Sequence, residues 1–399
     1  MNLSLPGEAK SPFQDIVIPT IKLSVIIPAK DESAYIAKTL EALRKQFDAL
    51  GNPIDHSLYE VLVLANNCSD DTFDICKLYQ KKYPEFNLHV ACVVLEKEQA
   101  HIGTARRMLM DAAHDRLRSV AGEKGIIVST DADSEVSPHW IYYILKEVKN
   151  GADVVGGRIL PRDTPKISRK HHLRDVGYRF LKSRLEAELD PCATNPWPRH
   201  FQCFGPSLAV TCELYERAGR LPVLPFLEDE EFRKALNRVD AKIRHSPDVQ
   251  ISTSGRLDGR VKFGFSVQLQ HWSEMSLRGE SQRVESLNTL MFKYGFKNRL
   301  RRIWNRGINT LAAAKDLKIL ADWAEVSSSQ LLNICKTSIY FESLWEKIEL
   351  LLHQDNHRLI DFQPVDAVIQ SLRIYFHPRP KVTIKRLDDL ADTSEALAG

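Results

Sequence analysis

The stretch GIIVSTDAD, Gly125 to Asp133, is a short apolar run rich in β-branched residues that ends in two carboxylates. Such a run, bounded by glycine and by polar residues, suits a strand buried on both faces. In extended backbone Asp131 and Asp133 point to one side, and the small Ala132 between them lets a ligand approach. Hard oxygen donors of this kind suit Mg²⁺ or Mn²⁺, ions that keep other positions for phosphate oxygens and water. A metal held there would neutralise charge building on a diphosphate leaving group. Asp-x-Asp alone is common in solvated loops, and its weight here comes from its place at the end of a buried strand.

The same pattern recurs on either side. Strands are predicted at Leu23–Ile27, closed by Pro28, and at Tyr59–Ala65, Leu88–Leu95, Gly125–Thr130 and Ala152–Ile159. Between them come helical spacings: Ile36, Leu40, Leu43 and Phe47; a stretch after the polar turn Asn66–Thr72; Thr104 to Leu117; and a helix capped by Ser137 with Pro138 in its first turn. Alternating strands and helices with short connections predict an α/β fold, a mostly parallel sheet with helices on both faces. Ligands of such sheets bind beyond the carboxyl ends of the strands. Lys30-Asp31-Glu32, Asn66–Asp71 and Asp131–Asp133 all fall at those ends, which implies one site.

The rest of the chain is organised around that core. Residues 1–21 hold three prolines and little periodicity and are expected to form a loosely attached leader. Residues 22–255 are expected to form the α/β domain that carries the site, with an irregular basic region at 160–200 and short elements at Leu208–Thr211, Glu213–Ala218, Asp229–Asn237 and Val249–Ser252. Residues 256–399 are expected to be a mostly helical extension whose strands stop by Trp272, with a strand-like tail after Ile374. In the extension, Phe296, Leu300, Ile303, Trp304, Ile308 and Leu311 recur at helical spacing among Lys293, Lys297, Arg299, Arg301, Arg302 and Arg306. A basic amphipathic helix of this kind suits either peripheral membrane contact or packing against the α/β domain, and Gly307, read as interior, weakens it.

Composition sets bounds. The 399 residues suffice for one large domain with an appendage or for two domains. The 55 basic and 52 acidic residues leave a net charge of +3, which argues against nucleic acid as a partner across the whole surface. Apolar runs such as Val61–Ala65 are too short to span a bilayer, and Met1–Lys10 lack the pattern of a signal peptide. The seven cysteines are scattered and form no Cys-x-x-Cys pair, so reduced thiols and a cytoplasmic location, with membrane association through the extension as a variant, are expected.

Two further motifs carry chemistry. Gly103-Thr104-Ala105-Arg106-Arg107 opens a helix, where backbone N–H groups attract anions and an arginine pairs with phosphate. Leu227-Glu228-Asp229-Glu230-Glu231-Phe232 opens another. Acidic residues there either simply complement the helix dipole or supply a general base for an acceptor hydroxyl.

In order and approximate spacing, these pieces together resemble the family 2 glycosyltransferases of the GT-A fold. The likeness runs from Val25–Glu32, with its Pro-x-x-Asp-Glu turn, through the polar turn after the second strand, the Gly-x-x-Arg helix start and Asp131-Ala132-Asp133 to Glu228-Asp229, covering about 22–255. It implies transfer of a sugar from a nucleotide-sugar donor to an unidentified acceptor, with inversion and a divalent metal. It implies Pro28, Ala29 and Glu32 in the nucleoside pocket, Asn66, Gly103 and Arg106 near the nucleotide, Asp131 near ribose and metal, Asp133 as direct metal ligand and Asp229 as base. The sequence departs from the family at Asn66, an amide where a carboxylate is usual. It departs again at Ser252-Thr253-Ser254-Gly255-Arg256, where relatives often supply a histidine to the metal and His245 comes earlier. Base preference and the third metal ligand stay open. The loop Arg256–Arg260 suits closure over a diphosphate or an ordinary charged turn. A sugar- or nucleotide-binding protein without turnover is the alternative reading, and a nucleotidyltransferase a second, disfavoured because Pro28–Glu32 has no glycine.

Overall fold

Along Leu23–Ala29 (β1) the side chains alternate between two cores: Leu23, Val25 and Ile27 lie in one and Ile26 in the other. Tyr59–Asn66 (β2, after helix α1, Ile36–Arg44) repeats this, with Val61 and Val63 on one side and Leu62 and Leu64 on the other. Both faces are therefore covered, and each buried Val, Leu or Ile contributes about 1.5–3 kcal/mol. The computed structural model describes residues 11–162, 166–254, 265–355 and 359–377.

The order continues with α2 (Thr72–Lys82), β3 (Leu88–Val93), α3 (Ile102–Val120), β4 (Ile126–Ser129), β5 (Glu135–Val136), α4 (Trp140–Lys149) and β6 (Val154–Arg162). Then follow α5 (Lys166–Leu189), β7 (Leu208–Thr211), α6 (Cys212–Arg217), α7 (Glu228–Arg238) and β8 (Ile243–Ser254). One eight-stranded sheet results, in the order β3-β2-β1-β4-β7-β6-β8-β5. β1 lies parallel to both β2 and β4, and β2 to β3. β7 enters antiparallel between β4 and β6, while β6 and β8 run parallel. The α/β expectation holds, with β7 and β5 as antiparallel insertions.

Several sequence expectations are corrected. Residues 160–200 are not irregular: α5 takes up 24 of them. It carries no single apolar stripe because different neighbours bury it, Ser168 and His171 at one end, Tyr178 and Leu185 further along. The helix after Ser137 begins only at Trp140, with His139 as its cap, so Pro138 lies before it. The first helix ends at Arg44, and Phe47 instead bridges to Pro53. The leader is tied down from Ser11 onward, since Phe13 and Ile21 are buried in the core beside Ile26.

The extension comprises α8 (Phe265–Arg278), β9 (Arg283–Glu285), α9 (Leu287–Arg306), α10 (Leu311–Trp323), α11 (Ser328–Thr337), α12 (Phe341–Asp355), β10 (Phe362–Pro364) and α13 (Val365–Phe376). Strands do not stop at Trp272, because β9 and β10 pair antiparallel. α13 runs through Ile374 to Phe376, and the strand-like tail expected after Ile374 lies, from residue 378 on, outside the described residues. The proposed membrane face is also corrected: Phe296, Leu300 and Ile303 are buried against α10, α11 and α12, and Trp304 and Ile308 pack beside them, leaving only Leu311 of that set exposed. The apolar stripe is the core of the helical region itself. Gly307 is not interior but ends α9, at φ 91°. Among the described residues no helix is long and apolar enough to cross a membrane.

Candidate active site

Parallel register brings the ends of β1, β2 and β4 together, pairing Ala29 with Ala65 and Ile26 with Ser129. The turns beyond them are stitched to each other. The Asp31 carboxylate accepts from the Ser69 N–H at 2.6 Å, Asp70 from the Ser33 N–H at 3.0 Å, and the Thr72 hydroxyl from the Glu32 N–H at 2.7 Å. Asp31 and Asn67 sit at positive φ, 50° and 48°, as tight turns require. Asp31, Cys68 and Asp70 lie close enough together to hold a metal ion, but their carboxylates are already engaged in these turn contacts.

These turns open into a cleft of about 2340 Å³, more than twice the volume usual for one small ligand. Pro28, Ala29, Lys30, Glu32, Asn66, Arg106, Asp131, Asp133, Glu228 and Asp229 all line it. Asn66 is buried, and its Oδ1 has no hydrogen-bond partner. A buried acceptor left so costs about 1–3 kcal/mol unless a ligand donor meets it.

Asp131 and Asp133 lie just past the end of β4, in a turn rather than in extended backbone. Asp131 accepts from Arg106 Nη2 at 2.8 Å, and Arg106 Nη1 pairs with Glu228. Arg106 is thus buried as a bridge between the Asp-x-Asp turn and the start of α7, not free beside a phosphate. Glycine at 205 makes room for it, since a Cβ there would meet Arg106 Nη1 at 2.6 Å. The same Gly205 donates its N–H to Asp229 Oδ2 at 2.7 Å, while the Glu230 N–H donates to Oδ1 at 2.8 Å. Each carboxylate oxygen of Asp229 keeps a second lone pair.

The cluster carries excess negative charge. Burial pushes the Asp131 carboxyl up to about 6, and Asp133, Asp229 and Glu228 add to the push against the pull of Arg106. Its side chain is 32% exposed, so cleft water moderates the effect. Burial likewise raises Glu228, although Arg106 opposes it. Asp131, Glu228 and Asp229 act on the Arg106 guanidinium and Asp133 on Asp131, an acidic cluster that opens on the cleft with hard oxygen donors of the kind a divalent cation takes.

Gly103 does not line the cleft. A Cβ there would meet the Leu224 carbonyl oxygen at 1.9 Å, so this glycine lets the chain before α7 cross the start of α3. Arg107 also faces away, bonded to Asp111 and to the Leu221 carbonyl. The loop Arg256–Arg260 lies outside the described residues. At Ser252–Ser254, where the family pattern would place a metal-ligating histidine, the Thr253 and Ser254 hydroxyls donate to Asp133. Sequence reasoning missed this use of β8, the close approach of Gly205 to Arg106, and Arg233 in the cleft. Only the position of Ser252–Ser254 pointed toward it.

Residues 24–198 match the family described as glycosyl transferase family 2. The chain carries a family 2 glycosyltransferase domain. No curated protein matches it in sequence. Solved structures similar to the transferase include S. aureus TarS in complex with UDP-GlcNAc, at 16% identity over 85% of this chain and 93% of that one, with a TM-score of 0.42. A mannosyltransferase from Pyrobaculum calidifontis in complex with GDP-Man and Mn²⁺ is 17% identical over 87% and 92%, with a TM-score of 0.39. Glucosyl-3-phosphoglycerate synthase from Mycobacterium tuberculosis, in complex with Mn²⁺, UDP and phosphoglyceric acid, is 18% identical over 66% and 83%, with a TM-score of 0.36. The seven cysteines of the transferase are all free thiols.

Proposed function

We propose that this glycosyltransferase moves a sugar from a nucleoside-diphosphate sugar to an acceptor hydroxyl in a single displacement that inverts the anomeric centre. The observation that carries the reading is the convergence of Asp131, Glu228 and Asp229 around Arg106, with Asp133 beside Asp131, in one cleft. The acceptor oxygen attacks the anomeric carbon, the bond from that carbon to the diphosphate oxygen breaks, and the hydroxyl proton passes to Asp229. Two backbone N–H bonds fix the Asp229 carboxylate at the first turn of α7, so its free lone pairs stay aimed as the proton arrives.

Asp131 and Asp133 would hold Mn²⁺ or Mg²⁺, which when bound offsets charge on the departing diphosphate. The Thr253 and Ser254 hydroxyls orient the Asp133 carboxylate for that role. Pro28, Ala29 and Glu32 would flank the nucleoside, and the unpartnered Asn66 Oδ1 would accept an N–H from its base. Arg106 keeps the two acidic turns in register.

A thermal-shift screen of nucleotide sugars with Mn²⁺ tests the reading. A matched donor at ~100 times its dissociation constant adds about 3 kcal/mol of apparent stability. In Asp133→Ala the metal-dependent part of that gain should vanish. Absence of stabilisation by every nucleotide sugar and nucleoside diphosphate, with Mn²⁺ and with Mg²⁺, would overturn it.

A further inference from the structure

The cleft extends well past the carboxylates, and on its far side one side chain is held with unusual definition. His245, on β8, lines the cleft, and its Nδ1 lies 3.0 Å from Asn195 Nδ2. The orientation of the Asn195 amide is fixed independently, because its Oδ1 accepts from the His245 backbone N–H at 3.0 Å. The Asn195 Nδ2 group must therefore donate, Nδ1 must accept, and the ring proton sits on Nε2. Among the described residues no group bonds Nε2, and it is not among the polar atoms sealed from solvent without a partner.

The support for this clamp is itself buried. Asn195 is 7% exposed and its backbone N–H donates to the Cys192 carbonyl at 3.1 Å. Arg199, 4% exposed, donates to the Asn195 carbonyl at 3.0 Å and is anchored by Ser183 and Glu186 on α5. The charged and titratable groups that act most strongly on the imidazole are His200, Arg199, Arg233 and Arg244, with Glu186 and Glu147 one step further out on Arg199 and Arg244. None of the first four is an acid that would hold a proton on Nδ1. Burial is the main cause that keeps the ring well below its ordinary pKa, and those four reinforce it. Arg233 stands one helical turn beyond Asp229 on α7, so the ring belongs to the acceptor side of the site.

We infer that His245 presents Nε2–H as a fixed hydrogen-bond donor to a hydroxyl oxygen of a saccharide acceptor, with Asn195 as its positioning residue. No proton is transferred: the ring donates a hydrogen bond and remains neutral. A neutral donor held in place discriminates by geometry, because an acceptor lacking an oxygen at that point leaves the buried N–H unpaired. The inference rests on the glycosyl-transfer reading for the identity of the ligand but not for the state of the ring.

The test uses the full-length protein labelled with ¹⁵N and two-bond ¹H–¹⁵N spectra of its histidines, assigned through His245→Gln. His245 should show the Nε2–H pattern and no titration between pH 5 and pH 8. In Asn195→Asp, a carboxylate draws the proton to Nδ1, so the pattern should reverse and the ring should begin to titrate in that range. Methyl glycosides of glucose, galactose, mannose and N-acetylglucosamine, added with Mg²⁺ and UDP or GDP, serve as saccharide probes. At least one should shift the Nε2–H resonance. His245→Gln, whose amide offers an N–H near the same point, should retain more of that glycoside's affinity than His245→Leu, which should lose roughly 5–100-fold, the span of one hydrogen bond. Nucleoside diphosphate binding serves as the control for folding. An Nδ1–H ring, titration near neutral pH in the wild type, or no response to any of the four glycosides would overturn the inference. Failure of both nucleotides to bind, with the glycoside response intact, would instead count against the transfer reading alone.

Discussion

Asp229 and Glu228 are adjacent in sequence yet have opposite surroundings. Both line the cleft, but Glu228 is buried against Arg106, whereas among the described residues the Asp229 carboxylate takes hydrogen bonds from backbone N–H groups only. Asp229→Asn should therefore lower turnover by roughly 10²–10⁴ and leave nucleoside diphosphate affinity close to that of the wild type. Calorimetry beside initial rates checks this, and equal loss in both would make Asp229 structural. Gly103→Ala tests a different kind of residue. Its new Cβ would collide with the Leu224 backbone, and overpacking of this kind costs about 1–3 kcal/mol, measurable as a lower urea midpoint at unchanged slope. The acidic residues of the site were legible because each closes a strand or opens a helix. Arg106 as a bridge was not, since its partner Glu228 lies 122 positions away. Nor did anything in the spacing join Asn195 to His245, which meet only through the fold.

Elements were legible where burial runs along their whole length. The strands Leu23–Ala29 and Leu208–Thr211 stood out because they are buried along their whole length. β6 and β8 run further than their apolar patterns, since Pro161 and Arg162 pair with Thr253 and Ser254 beyond the apolar runs. β9 and β10, three residues each, are too short to carry a period. Yet β9 ends in Glu285, which joins Lys182 of α5 and Lys293 of α9, each at 2.6 Å. Burial opposes its charge, but the two lysines outweigh it and hold the carboxyl at about 2, below its ordinary value of 4.5. A depressed native pKa means stability that is present above the unfolded value and lost as pH falls through the folded one. Between about pH 5 and pH 2 the protein should lose part of its stability through this group. Glu285→Gln should be less stable at neutral pH and show a flatter profile across that window, read from urea midpoints at each pH.

At the scale of the whole molecule, transferase and helical regions meet through α5, which packs Tyr178 and Leu185 with Leu290 of α9 and Val368 and Leu372 of α13. The cleft is lined from both sides, by Asp229 and Arg233 on one and Trp272, Lys297 and Trp304 on the other. Its shape thus depends on how the two are held. A second joint lies at the end of α7. Asp240, at φ 52°, accepts from the Phe341 N–H at 2.8 Å and the Glu342 N–H at 2.7 Å, capping α12 from across the junction. The neighbouring Arg238–Glu346 pair is largely exposed and contributes little. Removing a cap costs about 1 kcal/mol. Asp240→Ala should therefore loosen the helical region first. Trp304, Trp323 and Trp345 report on that region and Trp140 on the sheet, so single-tryptophan variants separate the two unfolding curves. The three helical probes should shift to lower urea than Trp140 in Asp240→Ala. Arg238→Ala should leave all the curves nearly in place. Coincident shifts of every probe in Asp240→Ala would mean that the two regions unfold as one unit, with the cap acting on the whole.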